Sequence, residues 1–124
     1  MRPKISAAEW QVMNVVWAKQ PVTAAQVFNA LPARHGWKQK TVNTFLARLV
    51  AKGVATASKE GKAFVYAAKI PREECIRAEG DSFLHRVFQG AVGDLVLHFC
   101  ENADLSPEEI RELEQLLQAK KAKG

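Results

Sequence analysis

The side chains most able to do chemistry lie in one stretch, residues 37–53, which reads "WKQKTVNTFLARLVAKG". The Asn43 amide and the Thr44 hydroxyl can form hydrogen bonds with base edges, and Lys40 and Arg48 can reach guanine or phosphate oxygens. This combination predicts a surface that binds nucleic acid. The predicted DNA-binding residues of the stretch are Lys38, Gln39, Lys40, Thr41, Asn43, Thr44 and Arg48.

A helix is needed to bring these residues onto one surface. Apolar residues from Val42 to Val50 recur at i, i+3, i+4, i+7 and i+8, which predicts a helix with one face turned to a core. The polar side chains occupy the opposite arc together with Ala47 and Ala51, whose small size permits close approach to DNA. Gly53 is predicted to end the helix as its C′ residue.

A polar outer face is also normal for any surface helix, so the surrounding charge decides between the two interpretations. Residues 10–59 contain no Asp or Glu. Residues 1–70 carry 11 Lys and Arg against 2 Asp and Glu, a net charge of +9, whereas residues 71–124 carry 7 against 11, a net charge of −4. Charge that served solubility alone would mix both signs along the chain. The asymmetry therefore predicts a first half that binds a polyanion.

Two helices are predicted before this stretch. Capping boxes at Ser6–Glu9 and Thr23–Gln26 predict a helix that runs to about Lys19 and a short second helix that Pro32 stops. Apolar residues spaced i, i+3 and i+7 predict the inward face of the first helix. The residues on that face are Trp10, Met13 and Trp17.

A β-hairpin is predicted after the stretch. The short β-prone runs "VATAS" and "AFVYAA" flank Gly61, which suits a tight turn, and Lys59 and Lys62 lie at the hairpin tip, where they would flank the same duplex. Three helices followed by a hairpin is the order of a winged helix-turn-helix. The predicted fold class is therefore mainly α with a small β-hairpin, a winged helix-turn-helix followed by a helical dimerisation segment.

Three amphipathic helices are predicted in the last 54 residues: one that ends at about Gly90, one that begins at about Ala91, and one whose N-cap is Ser106. Only the tail "KKAKG" is predicted to fray. This is too little chain to enclose a core, so we expect the helices to pack against a second copy. The predicted domains are residues 1–70 for DNA binding and 71–124 for dimerisation. The predicted interface residues are Phe83, Leu84, Val87, Phe88, Leu95, Val96, Phe99, Ile110, Leu113, Leu116 and Leu117.

Other chemistries are poorly supported by the sequence. His98 and Cys100 would point about 200° apart on a helix, so they are not expected to bind one metal ion. Phosphate-binding glycine loops, paired carboxylates and nucleophilic triads with recognisable spacing are absent, so neither an enzyme nor a cofactor is predicted. No run is apolar enough for a signal peptide or a membrane span, and we expect a cytoplasmic protein without direct membrane insertion.

Several separated motifs, in order, resemble the penicillinase repressors, the BlaI/MecI/CopY family of bacterial winged-helix repressors. They are "ISAAEWQVMNVVW", "WKQKTVNTFLARLVAKGVA", "FVYAA" and "VGDLVLHFCENADLSPEEIRELEQLL", and the likeness covers nearly the whole chain. The resemblance implies a homodimer that binds palindromic operators with half-sites of the TACA/TGTA type. The DNA contacts that it implies are Lys40, Thr41, Asn43, Thr44 and Arg48, with Trp37 near the DNA backbone and the hairpin lysines.

Two regulatory features of the family do not match this sequence. In β-lactam-responsive members, a membrane sensor-protease cuts an Asn-Phe bond, and the matching pair here is His98-Phe99. His98-Phe99 is therefore the pair at which a cut would fall, but the changed residue before the bond means that the sequence does not support cleavage there. Copper-responsive members carry a repeated Cys-x-Cys pair near the C-terminus, which is absent after Cys100, so copper sensing by that route is not expected.

The predicted function is that of a DNA-binding transcriptional repressor. A protein-interaction module that keeps the winged fold without binding DNA is the alternative from another class, although such a module has no need of a net charge of +9. A protein that binds DNA without sequence preference is the second alternative. The ratio of affinities for operator and scrambled DNA discriminates between them.

Overall fold

The computed structural model describes residues 3–124, which form six α-helices and a three-stranded antiparallel sheet. The helices are α1 (Ala7–Lys19), α2 (Ala24–Ala30), α3 (Gln39–Ala51), α4 (Arg72–Phe88), α5 (Val92–Asn102) and α6 (Pro107–Lys123). The strands are β1 (Val22–Thr23), β2 (Ala55–Glu60) and β3 (Ala63–Ala68), and a 3-10 turn covers Ala33–His35. Helices α1 to α3 followed by the β2–β3 hairpin confirm the predicted winged helix-turn-helix.

Three helices begin at capping boxes that the sequence predicts. The Ser6 hydroxyl accepts a hydrogen bond from the Glu9 backbone N–H at 3.2 Å, and Glu9 Oε1 accepts one from the Ser6 N–H at 2.9 Å. The same reciprocal pair of hydrogen bonds joins Thr23 to Gln26 at the start of α2. A third pair joins Ser106 to Glu109 at the start of α6. Each box satisfies two backbone donors that a helix start would otherwise leave unpaired.

Helix α1 contributes the centre of the core through Val12, Met13 and Val16, all of which are fully buried. The predicted inward stripe is right for Met13 but only partly right for Trp10 and Trp17, which are half-buried at the edge of the core. Trp is large and carries an N–H group, so it is often placed where one side of the ring stays accessible.

The buried face of α3 consists of Val42, Leu46 and Leu49, which have no exposed surface. Phe45 and Val50 pack beside them at the margin, as the predicted stripe requires. Gly53 follows the helix with a φ of 79°. A left-handed conformation at this position is the common end of an α-helix and is easily adopted only by glycine, which confirms the predicted C′ residue.

The sheet has the order β1–β3–β2, and its short outer strand β1 is not predicted by the sequence. Val22 pairs with Tyr66 and Thr23 with Val65. A strand of two residues has no measurable periodicity, so only its pairing with β3 reveals it. In the hairpin, Glu60 pairs with Ala63, and Gly61 supplies the positive φ that the connecting turn needs.

The chain divides into two compact units, the second of which spans Asp81–Gly124, so the division falls within α4. In the first unit, Cys75 of α4 is buried in the core. In the second unit, no residue between positions 81 and 124 is buried. Helix α6 continues to Lys123, so the prediction that the tail frays is wrong. Three lysines in the last turn stabilise that helix end, since cations there interact favourably with the helix dipole.

Candidate nucleic-acid interface

The entry to α3 is held by a stack of three rings. The Trp37 ring lies 4.3 Å from the His35 ring in a stacked arrangement and 5.1 Å from the Phe45 ring, edge to face. Phe45 is one turn and a half into α3, so the stack ties the preceding loop to the helix. The structure therefore places Trp37 half-buried beside the start of α3, with the exposed Lys38 at the N-cap position.

The outer face of α3 is the surface opposite Val42, Leu46 and Leu49. Because these three residues are fully buried, the residues about half a turn away from them must face solvent. Thr41 and Gln39 are half-buried at the two margins of this surface. The exposed residues of the outer face are Lys40, Asn43, Thr44, Ala47, Arg48 and Ala51.

Hydrogen bonds between neighbouring turns orient the side chains of the outer face. Gln39 Nε2 donates to Asn43 Oδ1 at 3.1 Å, which holds the Asn43 amide in one orientation. The Thr44 hydroxyl donates to the Lys40 carbonyl oxygen at 3.1 Å. In this geometry Thr44 can still accept a hydrogen bond from a base amino group through its free lone pairs, while its methyl group can contact thymine.

Arg48 lies at the other end of the outer face. Its guanidinium carbon is 6.0 Å from the centre of the Phe45 ring. This distance allows a weak cation–π attraction that directs the long side chain along the helix. An arginine whose stem is directed in this way loses less conformational entropy when it binds guanine or phosphate.

The buried carboxylate of Glu9 forms an ion pair with Lys52, which follows α3. Glu9 is 1% exposed and accepts a hydrogen bond from Lys52 Nζ. Lys52 Nζ also donates to the Lys4 carbonyl oxygen at 2.8 Å. Burial by itself would raise the pKa of the Glu9 carboxyl, but the bonds from Lys52 and from the Ser6 N–H together lower that pKa below its ordinary value. The carboxylate is thus charged, buried and paired with a lysine.

The hairpin places the two predicted wing lysines in solvent. Lys59 lies on β2 opposite Phe64 of β3, and Lys62 lies in the turn. Glu60, the only acidic residue of the hairpin, directly follows Lys59 on β2 and pairs with Ala63. Because successive residues of a strand point to opposite faces, Glu60 and Lys59 lie on different faces of the hairpin. One face of the wing therefore carries lysine without an adjacent carboxylate.

The eleven residues predicted to form the dimer interface all lie at least partly exposed. Phe99 and Leu117 are 49% and 55% exposed, although each side chain is apolar. His98 and Phe99 are both exposed on α5, with their rings 5.3 Å apart, so the candidate cleavage site lies inside a helix. The half-buried members of the set are Phe83, Leu84, Phe88, Leu95 and Leu113.

Metal-binding geometry is not found elsewhere in the described part of the chain. No group of three or more His, Cys, Asp or Glu residues among positions 3–124 is arranged to hold a metal ion. Cys100 is exposed and Cys75 is buried in the other compact unit. Among the same residues, no helix has the length and apolar character needed to cross a membrane.

Three features of this region are not predicted by the sequence. They are the Gln39–Asn43 hydrogen bond, the Glu9–Lys52 ion pair and the exposure of Phe64. The first has a sequence signal, because residues four apart face each other on a helix. The ion pair joins residues 43 positions apart and has no such signal.

The sequence is similar to those of proteins of one known family. The family model for the penicillinase repressor matches residues 5–119. The penicillinase repressor of Bacillus licheniformis is 40% identical over 119 residues, which cover 96% of this chain and 93% of that protein. The methicillin resistance regulatory protein MecI of Mammaliicoccus sciuri is 34% identical over 117 residues, which cover 94% of this chain and 95% of that protein.

A solved structure is similar to the winged-helix part of the chain. It is the solution structure of the monomeric form of Bacillus licheniformis BlaI in complex with the blaP half-operator. The match has a TM-score of 0.52 and 36% sequence identity, and it covers 60% of this chain and 90% of that one. These similarities confirm the family resemblance predicted from the sequence motifs.

Proposed function

This chain belongs to the penicillinase repressor family, and we propose that it represses transcription as a homodimer bound to a palindromic DNA operator. The observation that carries the proposal is the outer face of α3, which is exposed, free of carboxylates and opposite a fully buried stripe. The matching family model and the Bacillus licheniformis relative are both described as penicillinase repressors, in agreement with the predicted non-enzymatic function.

In the proposed complex, the outer face of α3 enters the major groove. Lys40 and Arg48 contact phosphate or guanine, and Asn43 and Thr44 contact base edges, because these groups have the required hydrogen-bonding capacity. Trp37, Lys38 and Gln39 lie at the N-terminal end of the helix near the DNA backbone, where the helix dipole favours phosphate. Thr41 and the wing lysines Lys59 and Lys62 complete the proposed contacts.

We assign DNA binding to residues 1–70 and dimerisation to residues 71–124. The charge difference between the two segments supports this assignment, since only the first segment has a net positive charge. The exposure of apolar side chains on α5 and α6 supports the homodimer, because large apolar patches are uncommon on monomers. A two-fold symmetric dimer would place two copies of α3 on one side of the duplex, so its operator would be palindromic.

We further propose that a membrane sensor-protease releases the protein from DNA by cutting the chain between His98 and Phe99. A cut there would divide α5 and so destroy the segment assigned to dimerisation. The intact dimer is proposed to repress transcription by blocking RNA polymerase, and that block would end after the cut. Mass spectrometry of the protein before and after exposure of producing cells to a β-lactam tests this part, and intact chains after induction would remove it.

Fluorescence anisotropy tests the function as a whole. The purified protein is titrated against the palindrome upstream of its own gene and against a scrambled duplex, across a series of salt concentrations. We expect a preference of about 1,000-fold or more for the palindrome at physiological salt. Weak binding that is equal on both duplexes and lost in salt would indicate a protein that binds DNA without sequence preference, and no binding would indicate an interaction module.

A further inference from the structure

Phe64 is the most exposed of the large apolar side chains in the winged-helix unit. Within residues 3–80, Phe64 is 57% exposed and Ile76 is 38% exposed, whereas the other large apolar residues are buried or half-buried. A single exposed apolar residue needs no explanation by itself. The position and neighbours of Phe64 therefore decide whether its exposure has a use.

The register of the hairpin places Phe64 on the face that continues the core. Ala55 of β2 pairs with Ala68 of β3, and Tyr66 lies two residues before Ala68 on the same strand. Ala55 is buried, and both Tyr66 and Ala68 pack against the core. Since alternate residues of a strand share a face, Phe64 lies on the same face as Tyr66 but beyond the edge of the core. The hairpin thus extends an apolar ring past the body of the unit.

The residue directly opposite Phe64 is Lys59. Opposite residues of an antiparallel pair have their Cβ atoms about 5 Å apart, so an ammonium group and an aromatic ring share this part of the wing. Lys62 follows in the turn, and the single carboxylate, that of Glu60, lies on the other face. A surface of this kind is complementary to a partner with apolar walls and anionic edges.

DNA presents that combination in its minor groove, where deoxyribose rings line the walls and phosphates line the rims. We propose that Phe64 contacts DNA, packing against deoxyribose in the minor groove that flanks each half-site, while Lys59 pairs with the adjacent phosphate. The minor groove is about 6 Å wide and admits side chains of a narrow hairpin, and proteins that bind this groove frequently insert apolar side chains such as phenylalanine. This inference rests on the proposed function, since it assumes that α3 binds the neighbouring major groove.

The contact has a signature in salt. An apolar contact releases no counterions, so Phe64→Ala is expected to weaken operator binding about tenfold, or about 1.4 kcal/mol, with the slope of log K against log salt unchanged. Lys59→Ala is expected to reduce the slope by about 0.9. Phe64→Leu keeps part of the apolar surface and is expected to lose about threefold. Ile76→Ala is the matched control, because it truncates an exposed apolar residue outside the wing.

Trimming the duplex separates contact from folding. The same proteins are titrated against the operator and against duplexes shortened stepwise at both ends outside the half-sites. We expect wild type to lose about tenfold more than Phe64→Ala when the flanking groove is removed, because the variant has only the Lys59–phosphate contact left to lose there, so that the two changes are coupled. A folding defect would instead weaken binding equally on long and short duplexes.

The outcomes distinguish the inference from the function on which it rests. Failure of wild type to prefer the palindrome would overturn the proposed function. Preference by wild type, with Phe64→Ala and Phe64→Leu within twofold of it, would overturn only the role of Phe64. Equal losses on long and short duplexes would also overturn that role.

Discussion

At the scale of single residues, the outer face of α3 carries side chains suited to two different kinds of contact. Asn43 has an amide that Gln39 holds in one orientation, as recognition of one base requires. Arg48 has a positive charge, and its attraction to a phosphate does not depend on the identity of the neighbouring base. The two side chains are five positions apart and both are exposed. They are therefore suited to a direct comparison of sequence reading with backbone binding.

We predict different losses for the two truncations. Asn43→Ala should relax discrimination at one base step by about 1–3 kcal/mol, with the salt slope unchanged. Arg48→Ala should weaken binding on every sequence and reduce the slope by about 0.9 per lost phosphate contact. Anisotropy on the operator, its single-base variants and scrambled DNA measures both. An equal loss for Asn43→Ala on operator and scrambled DNA would contradict a base contact.

At the scale of the elements, the position of α3 depends on its connection to the start of α1. Lys52, at the C-cap of α3, bonds both to Glu9 and to the backbone at Lys4. The C-terminal end of α1 is tied to the segment that follows the hairpin, because Trp17 Nε1 donates to the Ile70 carbonyl oxygen at 3.0 Å. Helix α1 thus links α3 to the end of the hairpin, and in the proposed complex these links would keep the two elements at a fixed spacing.

The Glu9–Lys52 pair predicts a pH dependence of stability. Because the pKa of Glu9 is lowered in the folded state, its stabilisation is fully present above the ordinary value of about 4.3 and is lost as the pH falls through the folded value. Glu9→Gln should lower the free energy of unfolding by about 1–3 kcal/mol at pH 7, and the difference from wild type should shrink below about pH 4. Urea unfolding at several pH values measures this.

Glu109→Gln is the matched control for that experiment. Glu109 closes the same kind of capping box on α6, but it is exposed. Its substitution should change stability less than that of Glu9. A Glu9→Gln variant with the same deficit at pH 7 and pH 3 would show that the ion pair does not contribute through its charge.

At the scale of the whole molecule, the two compact units differ in what they bury. The first unit has a continuous core built from α1, α2, α3 and the sheet. The second unit, Asp81–Gly124, leaves its apolar side chains at least partly exposed. A segment of 44 residues encloses little volume by itself, since the buried fraction of a chain falls with its length. Its apolar faces are therefore available to a second copy.

We predict that Leu113→Glu combined with Leu117→Glu converts the dimer to monomer. Two carboxylates in an apolar interface would be desolvated without partners, so sedimentation should shift toward the monomer and operator binding should fall sharply. The control is Gln115→Glu with Gln118→Glu, which adds the same charge to α6 on its opposite side. A dimer that survives the leucine double variant would place the interface elsewhere.

The sequence by itself determined most local features. The capping boxes at Ser6, Thr23 and Ser106 predicted three helix starts correctly, because side-chain to backbone bonds within four residues need no tertiary contact. The buried stripe of α3 was predictable for the same reason, as periodicity alone fixes which residues share a face. The DNA contacts of its opposite face remain predictions that the titrations above test.

Only the tertiary structure decided the features that join distant parts of the chain. The pairing of β1 with β3, the meeting of Glu9 with Lys52 and the exposure of Phe64 each depend on how separate elements pack. No local pattern carries that information, because the same strand of alternating residues can lie over a core or extend past its edge. In β3 the core ends beneath Tyr66, and this limit leaves Phe64 free for a partner.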